Sequence, residues 1–347
     1  MERMSRDTDR LSEIYDEQIQ IRHRIAVNAG FDDYRSYVFE AKHRYDYSMD
    51  DCLEFHDSIE RVCVPMMHEI QEYRRGALGV ATLRPWDVSE KSGGGVDVHG
   101  RPPLRPFEDV ERLITGCSSV FHRMSPELGG MFDMLRERDT LDLESRKGKA
   151  PGGYQANLEK TRVPFIFMNA AGTHDNLSTM LHEAGHAFHS CYSSDLDLIE
   201  ERNPPLEFAE VASMSMELMS HPDWGEFYSD EDARRAKLDD LEKIVCFLPW
   251  MATIDAFQHW VYANPEHTRQ DRSEYWLELR GRFGPRTDWS GFEELKETSW
   301  QSQLHLFQVP FYYIEYGIAQ LGALQLWQHH RKDAADGLAR YAQAMRL

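Results

Sequence analysis

Two histidines and a glutamate are the residues of this sequence best placed to do chemistry. His182, Glu183 and His186 form His-Glu-x-x-His within Asn176-Leu-Ser-Thr-Met-Leu-His-Glu-Ala-Gly-His-Ala-Phe-His-Ser-Cys191. On an α-helix, a spacing of four puts both imidazoles on one face, one turn apart, where they can share a metal ion. Glu183 then projects beside the ligand face, where a base for metal-bound water has to sit. The competing reading is two polar side chains facing solvent, and a chain with 16 His offers such spacings by chance.

A catalytic zinc usually takes three protein ligands and keeps a fourth position open. The metzincin continuation fails, because His189 stands where its glycine belongs and Tyr192 where its third histidine belongs. The acidic candidates downstream are Glu200, Glu201, Glu207, Glu210 and Glu217. Glu210 and Glu217 lie seven apart, on nearly one face of the helical stretch that begins at Phe208. Their neighbours are Phe208, Val211, Ala212, Met214, Leu218 and Met219. A carboxylate in so apolar a stretch is costly to bury unless a cation compensates it. Position favours Glu210 as the third ligand and Glu217 as the partner that orients a histidine. An ordinary solvent-facing glutamate is the alternative for Glu217.

The segment carrying the histidines reads as a helix. Asp175, Asn176 and Ser178 are candidate N-caps, and Leu177, Met180, Leu181, Ala184 and Phe188 form an apolar stripe opposite the chemistry. Upstream, residues 6–30 read as an amphipathic helix stopped at Gly30. A second helix starts at Ser48 and runs to about Arg75, adjusting at Pro65. The glycine- and proline-rich stretch 92–106 is a loop, followed by helices over 107–124 and 126–137. Leu141-Asp-Leu-Glu and Val163-Pro-Phe-Ile-Phe-Met-Asn169 are strand candidates. The second of these offers an edge to which an extended peptide could add, with Pro164 suited to an edge; a small structural hairpin is the alternative. Further helices are expected over 206–220, 230–247, 250–263, 272–283, 292–298 and 311–328. The fold expected is mainly α, with a small β element beside the metal-binding helix.

The bulk composition bounds the function. At 347 residues the chain can bury a large core, and 41% hydrophobic with 28% charged residues marks a soluble globular protein. A net charge of −20 argues against nucleic acid, whose phosphates need clustered Lys and Arg. Five scattered cysteines with no Cys-x-x-Cys pair suit a reducing compartment. No apolar run is long enough for a membrane span and the charged N-terminus lacks a leader's apolar region, so a cytoplasmic protein is expected.

His182-Glu-Ala-Gly-His-Ala-Phe-His with Phe208-Ala-Glu-Val-Ala-Ser resembles the zinc site of the oligoendopeptidase F and thimet oligopeptidase family. The interval between His186 and Glu210 suits that family. The resemblance extends to Leu83-Arg-Pro-Trp-Asp87, Arg146-Lys-Gly-Lys-Ala-Pro-Gly-Gly-Tyr154, Pro164-Phe-Ile-Phe-Met-Asn169 and His305-Leu-Phe-Gln-Val-Pro-Phe-Tyr-Tyr-Ile-Glu-Tyr316. It implies a zincin-like catalytic lobe of many helices, one Zn2+ per chain on His182, His186 and Glu210, and Glu183 as the base. It implies oxyanion donors among His305, Tyr313 and Tyr316, with Gly152, Gly153, Tyr154 and Tyr312 at the substrate; core aromatics and a simple turn are the bland alternatives. Glu217 and His189 are expected behind the ligands. The substrates implied are internal bonds of short peptides; a carboxypeptidase of related helical fold, or a zinc- or peptide-binding member with little activity, is the alternative. Residues 1–90 are expected to form a helical segment packed on a catalytic region 91–347, or to be continuous with it. Full-length members of the family extend further at both ends.

Overall fold

The computed structural model describes residues 6–88 and 97–346. The glycine run at 93–95 in the expected loop lies outside the described residues. Among the described residues, five helices, α1 (Thr8–Asn28), α2 (Tyr34–Ala41), α3 (Met49–Leu78), α4 (Val110–Met124) and α5 (Pro126–Glu137), precede three strands, β1 (Leu141–Glu144), β2 (Tyr154–Leu158) and β3 (Val163–Ala170). Eight more follow: α6 (His174–Tyr192), α7 (Leu206–Met219), α8 (Asp230–Ala263), α9 (Arg269–Arg282), α10 (Glu293–Glu297), α11 (Leu304–Gln308), α12 (Tyr313–Lys332) and α13 (Ala334–Ala344). The fold is mainly α with one small sheet, as the sequence implies. It divides into two compact units, Met1–Arg101 with Asp240–Ile314, and Pro102–Asp239 with Glu315–Leu347.

In the first unit, α3 begins with a capping box between Ser48 and Asp51, runs through Pro65 and ends at Gly79 in the left-handed region. Ring packing among Tyr15, Trp300 and Phe307 and the buried Phe257, Tyr262 and Trp276 fill its core. The helices expected over 230–247 and 250–263 are one helix, α8, with Pro249 inside it. Trp250, Met251, Ile254 and Phe257 are all buried there, and packing on several sides outweighs the hydrogen bond that proline removes. The helix expected from residue 311 starts instead at Tyr313. Phe311 sits at φ 60, and its N–H donates to the Gln258 side chain at 2.7 Å. Tyr312 therefore precedes α12.

The second unit holds the sheet, in the order β1-β3-β2, with β1 parallel and β2 antiparallel to β3. This corrects the edge assignment: β3 is the central strand. Pro164 is tolerated because β1 pairs only from Ile166 onward. The edge strand is β2, Tyr-Gln-Ala-Asn-Leu. Its apolar residues Tyr154, Ala156 and Leu158 alternate with Gln155 and Asn157, but Tyr154 and Leu158 are exposed, so pairing on β3 rather than burial of an apolar face holds it. Pro164, Ile166 and Met168 alternate inward, and Ile166 and Met168 join Phe121, Leu181 and Phe188 in the core.

The helix α6 starts two residues earlier than its candidate caps suggest. Thr173 is the N-cap, its side chain accepting from the Asn176 backbone while the Asn176 side chain returns a bond. Asn176 thus serves at the third helical position, in a capping box. The expected apolar stripe is buried without exception, with Phe188 edge-on to Phe121 at 4.8 Å.

Candidate metal centre

The helices α6 and α7 pack closely, and Gly185 is the reason. A Cβ at Gly185 would stand 2.6 Å from the Ala212 carbonyl oxygen and 2.6 Å from the Ser213 Cα. The missing side chain lets the two backbones approach within one turn of both histidines. The buried Tyr341 of α13 bridges the same point, its hydroxyl lying 3.3 Å from the Gly185 carbonyl and 3.2 Å from that of Ala212.

At this contact His182, His186 and Glu210 come together, their ligand atoms within 4.8 Å of one another. The imidazole rings are edge to face, with centroids 4.9 Å apart. Glu210 Oε2 lies 3.3 Å from His182 Nε2 and 3.7 Å from His186 Nε2, and accepts from the Ser213 hydroxyl at 3.1 Å. Behind them, His182 Nδ1 is 2.7 Å from Glu217 Oε1. Glu210 faces the ring nitrogens and Glu217 stands at the far side of His182.

Electrostatics follow from burial and these contacts. Burial, then the neighbouring His182, brings His186 down to about 4, so it is a neutral imidazole with a free lone pair at neutral pH. Burial alone would lower His182 as well, but Glu210 and Glu217 overcome it and hold its pKa well above 6.5. Burial opposes ionisation of Glu210, yet the two histidines and Ser213 keep its pKa below the usual value. Glu183 is 6% exposed, and burial raises it to about 7 against the pull of His182 and a backbone hydrogen bond at Gln155 of β2. Two imidazoles and an ionised carboxylate around one point form a donor set that suits zinc. The site fits such an ion.

The other expected residues are placed as follows. Gly152 is at φ 97, a backbone that favours glycine. A Cβ at Gly153 would meet Thr179 of α6 at 2.9 Å. Tyr154 is half exposed and stacks on Phe167 at 4.9 Å. His189 is buried against Phe208, within electrostatic reach of His186, and burial lowers it to about 4. His305, Tyr312 and Tyr313 belong to the first unit, where the His305 ring lies 4.9 Å from that of Tyr313 and 6.1 Å from that of Tyr312. Tyr316 is half-buried on α12 in the second unit.

Three contributors escaped the sequence reading: Gly185, Tyr341 and Lys149. The Lys149 side chain is 1% exposed and donates to the carbonyls of Asp142, Glu144 and Met168 at 2.9, 2.8 and 2.6 Å. It pins the loop before β2 onto β1 and β3. A glycine in mid-helix was the available signal for Gly185; Tyr341 and Lys149 carried none.

A half-buried pair of histidines and a buried glutamate on two packed helices, with an acid beside them and a strand edge next to that, is the constellation of a metallopeptidase. The model of peptidase family M3 matches residues 1–346. The chain belongs to peptidase family M3. The plasmid-encoded oligoendopeptidase F of Lactococcus lactis subsp. cremoris is 24% identical to it over 200 residues, 57% of this chain and 30% of that enzyme. PZ peptidase A, solved with an inhibitor, superposes with a TM-score of 0.89 at 32% identity, covering 99% of this chain and 60% of that one. Metallocarboxypeptidase 1 of Trypanosoma cruzi shares the fold, with a TM-score of 0.53 at 14% identity over 87% of this chain and 57% of that one. The chain thus corresponds to less than two thirds of the length of each.

Proposed function

We propose that the chain is a zinc-dependent endopeptidase hydrolysing internal bonds of short oligopeptides. The observation that carries this reading is the buried Glu183 carboxylate beside the converging His182, His186 and Glu210. These three would hold one zinc ion per chain. Zinc bound there supplies a Lewis acid that polarises a peptide carbonyl and makes water a nucleophile near neutral pH.

The rest falls to the chain's own groups. Glu183 takes the proton of the attacking water and passes it to the leaving amine. Glu217 fixes the tautomer and orientation of His182. The β2 edge, entered through Gly152 and Gly153 and carrying Tyr154, is the element to which an extended peptide adds. On the resemblance of their segment, His305, Tyr313 and Tyr316 are assigned as oxyanion donors and Tyr312 as a substrate contact.

Peptides are the partners in this reading, and neither nucleic acid nor membrane is one. A net charge of −20 disfavours phosphate binding, and no described helix is long and apolar enough to cross a membrane. Five unpaired cysteines suit the reducing cytoplasm. Turnover of quenched peptides by wild type and Glu183→Gln tests the proposal. The variant should keep its zinc and lose at least about 100-fold in kcat; retained turnover refutes the role. Cleavage of peptides blocked at the C-terminus separates an endopeptidase from a carboxypeptidase.

A further inference from the structure

A second group of metal-ligating side chains lies in the first unit, on α3 and α8. Cys52 and His56 are four apart on α3, and Asp255 and His259 four apart on α8, so each helix presents two donors on one face. The ligand atoms of Cys52, Asp255 and His259 lie within 4.8 Å of one another, and all three residues are buried. His56 Nε2 is 3.0 Å from Asp255 Oδ2, and His259 Nε2 is 3.4 Å from the same oxygen.

The cluster leaves polar atoms unmet. Asp255 Oδ1, His259 Nδ1 and His56 Nδ1 are buried without a hydrogen-bond partner. Asp255 is 0% exposed and His259 5%, and aromatic rings of Phe39, Phe283 and Phe311 wall the two histidines. A sealed carboxylate with orphaned imidazole nitrogens is an arrangement that burial penalises unless a cation completes it. A sulfur, an imidazole and a carboxylate together suit zinc and exclude magnesium and calcium, which take oxygen. A tetrahedral zinc with bonds of about 2.0–2.3 Å sets its ligand atoms roughly 3.3–3.8 Å apart, within a small side-chain adjustment of this cluster.

We propose that Cys52, Asp255 and His259 bind one zinc ion, additional to any held by His182, His186 and Glu210, and that it clamps α3 to α8. His56 donates to Asp255 and orients it from outside the ligand set. Binding displaces the Cys52 proton to solvent, leaving the thiolate as ligand. Burial, then the Asp255 carboxylate, holds that proton on in the absence of metal, while Arg44 favours its loss. The thiolate and carboxylate then balance the two charges of the ion.

Cobalt substitution separates the two centres, because the His182–His186–Glu210 set contains no sulfur. The chain produced in zinc-free medium with cobalt should bind two cobalt ions and show thiolate-to-cobalt charge-transfer absorption in the near ultraviolet. The His182→Ala/His186→Ala double variant should keep that absorption with one ion, whatever its peptidase activity. Cys52→Ser should lose it. Absence of the band in wild type, or its survival in Cys52→Ser, overturns the proposal. If Cys52→Ser does not fold, X-ray absorption at the zinc edge of the double variant decides: one sulfur ligand supports the site, and none overturns it.

Discussion

His182 Nδ1 meets Glu217 Oε1 at 2.7 Å, while its Nε2 lies 3.3 Å from Glu210. One imidazole is thus held between two carboxylates of α7, seven residues apart, and only Nε2 faces the ligand cluster. A carboxylate behind a ligating histidine sets the tautomer and raises ligand basicity. Glu217→Ala should weaken zinc binding by about 10–100-fold without abolishing it, as measured by competition against a chelator of known affinity. Glu210→Ala should lose the ion from this centre. Equal effects of the two substitutions would show that Glu217 is itself a ligand.

Gly185 sets the distance between α6 and α7. Gly185→Ala puts a methyl 2.6 Å from the backbone of Ala212 and Ser213, where no side chain can swing aside. The expected cost is about 1–3 kcal/mol, read as a lower thermal midpoint. Because Glu210 moves with α7, zinc affinity should fall as well. A variant with wild-type stability and affinity would show that the helices can separate freely.

Tyr341 is buried and its hydroxyl lies between two helix carbonyls, those of Gly185 and Ala212. Tyr341→Phe keeps the ring and removes only the donor. A loss of about 1 kcal/mol is expected by denaturant titration, with the slope of the transition unchanged. An unchanged midpoint would mean that the hydroxyl adds nothing to the contact.

Asp142 anchors the loop that leads into β2. Hydrogen bonds from Arg146, then Lys149, hold its carboxyl far below the usual range despite the opposing effect of desolvation. A carboxylate with a depressed folded pKa adds stability that is complete above its unfolded value, near 3.8, and is lost as pH falls below it. Asp142→Asn should therefore be less stable than wild type at pH 7, and the gap should close in acid. A gap that stays constant down to pH 2 would exclude the ion pair as its source. Lys149→Met, which abandons three carbonyls, should be the more damaging of the two at pH 7.

Much of the site was legible because its parts are local. A spacing of four on one helix fixes where His182 and His186 point, and the apolar run around Glu210 marks a carboxylate that needs a partner. The Pro126–Glu137 helix and the Leu141–Glu144 strand follow from capping and alternation and are found at the expected bounds. Non-local elements were not legible. The strand β2 alternates over only five residues with Tyr154 and Leu158 exposed and is held by pairing on β3, while α8 passes through Pro249 because burial around it outweighs the proline.

The sequence by itself determined the candidate ligand types, the acid next to them and a mainly helical scaffold, since these depend on residue chemistry and on periods of two and 3.6. Sequence position favours Glu210 near the histidines and Glu217 behind one of them, and tertiary structure supplies the contact that separates the two. Seven residues on a helix put both carboxylates on nearly one face. What divides them is the close passage of α7 over Gly185, with Tyr341 across the seam, and no spacing within either helix encodes that contact.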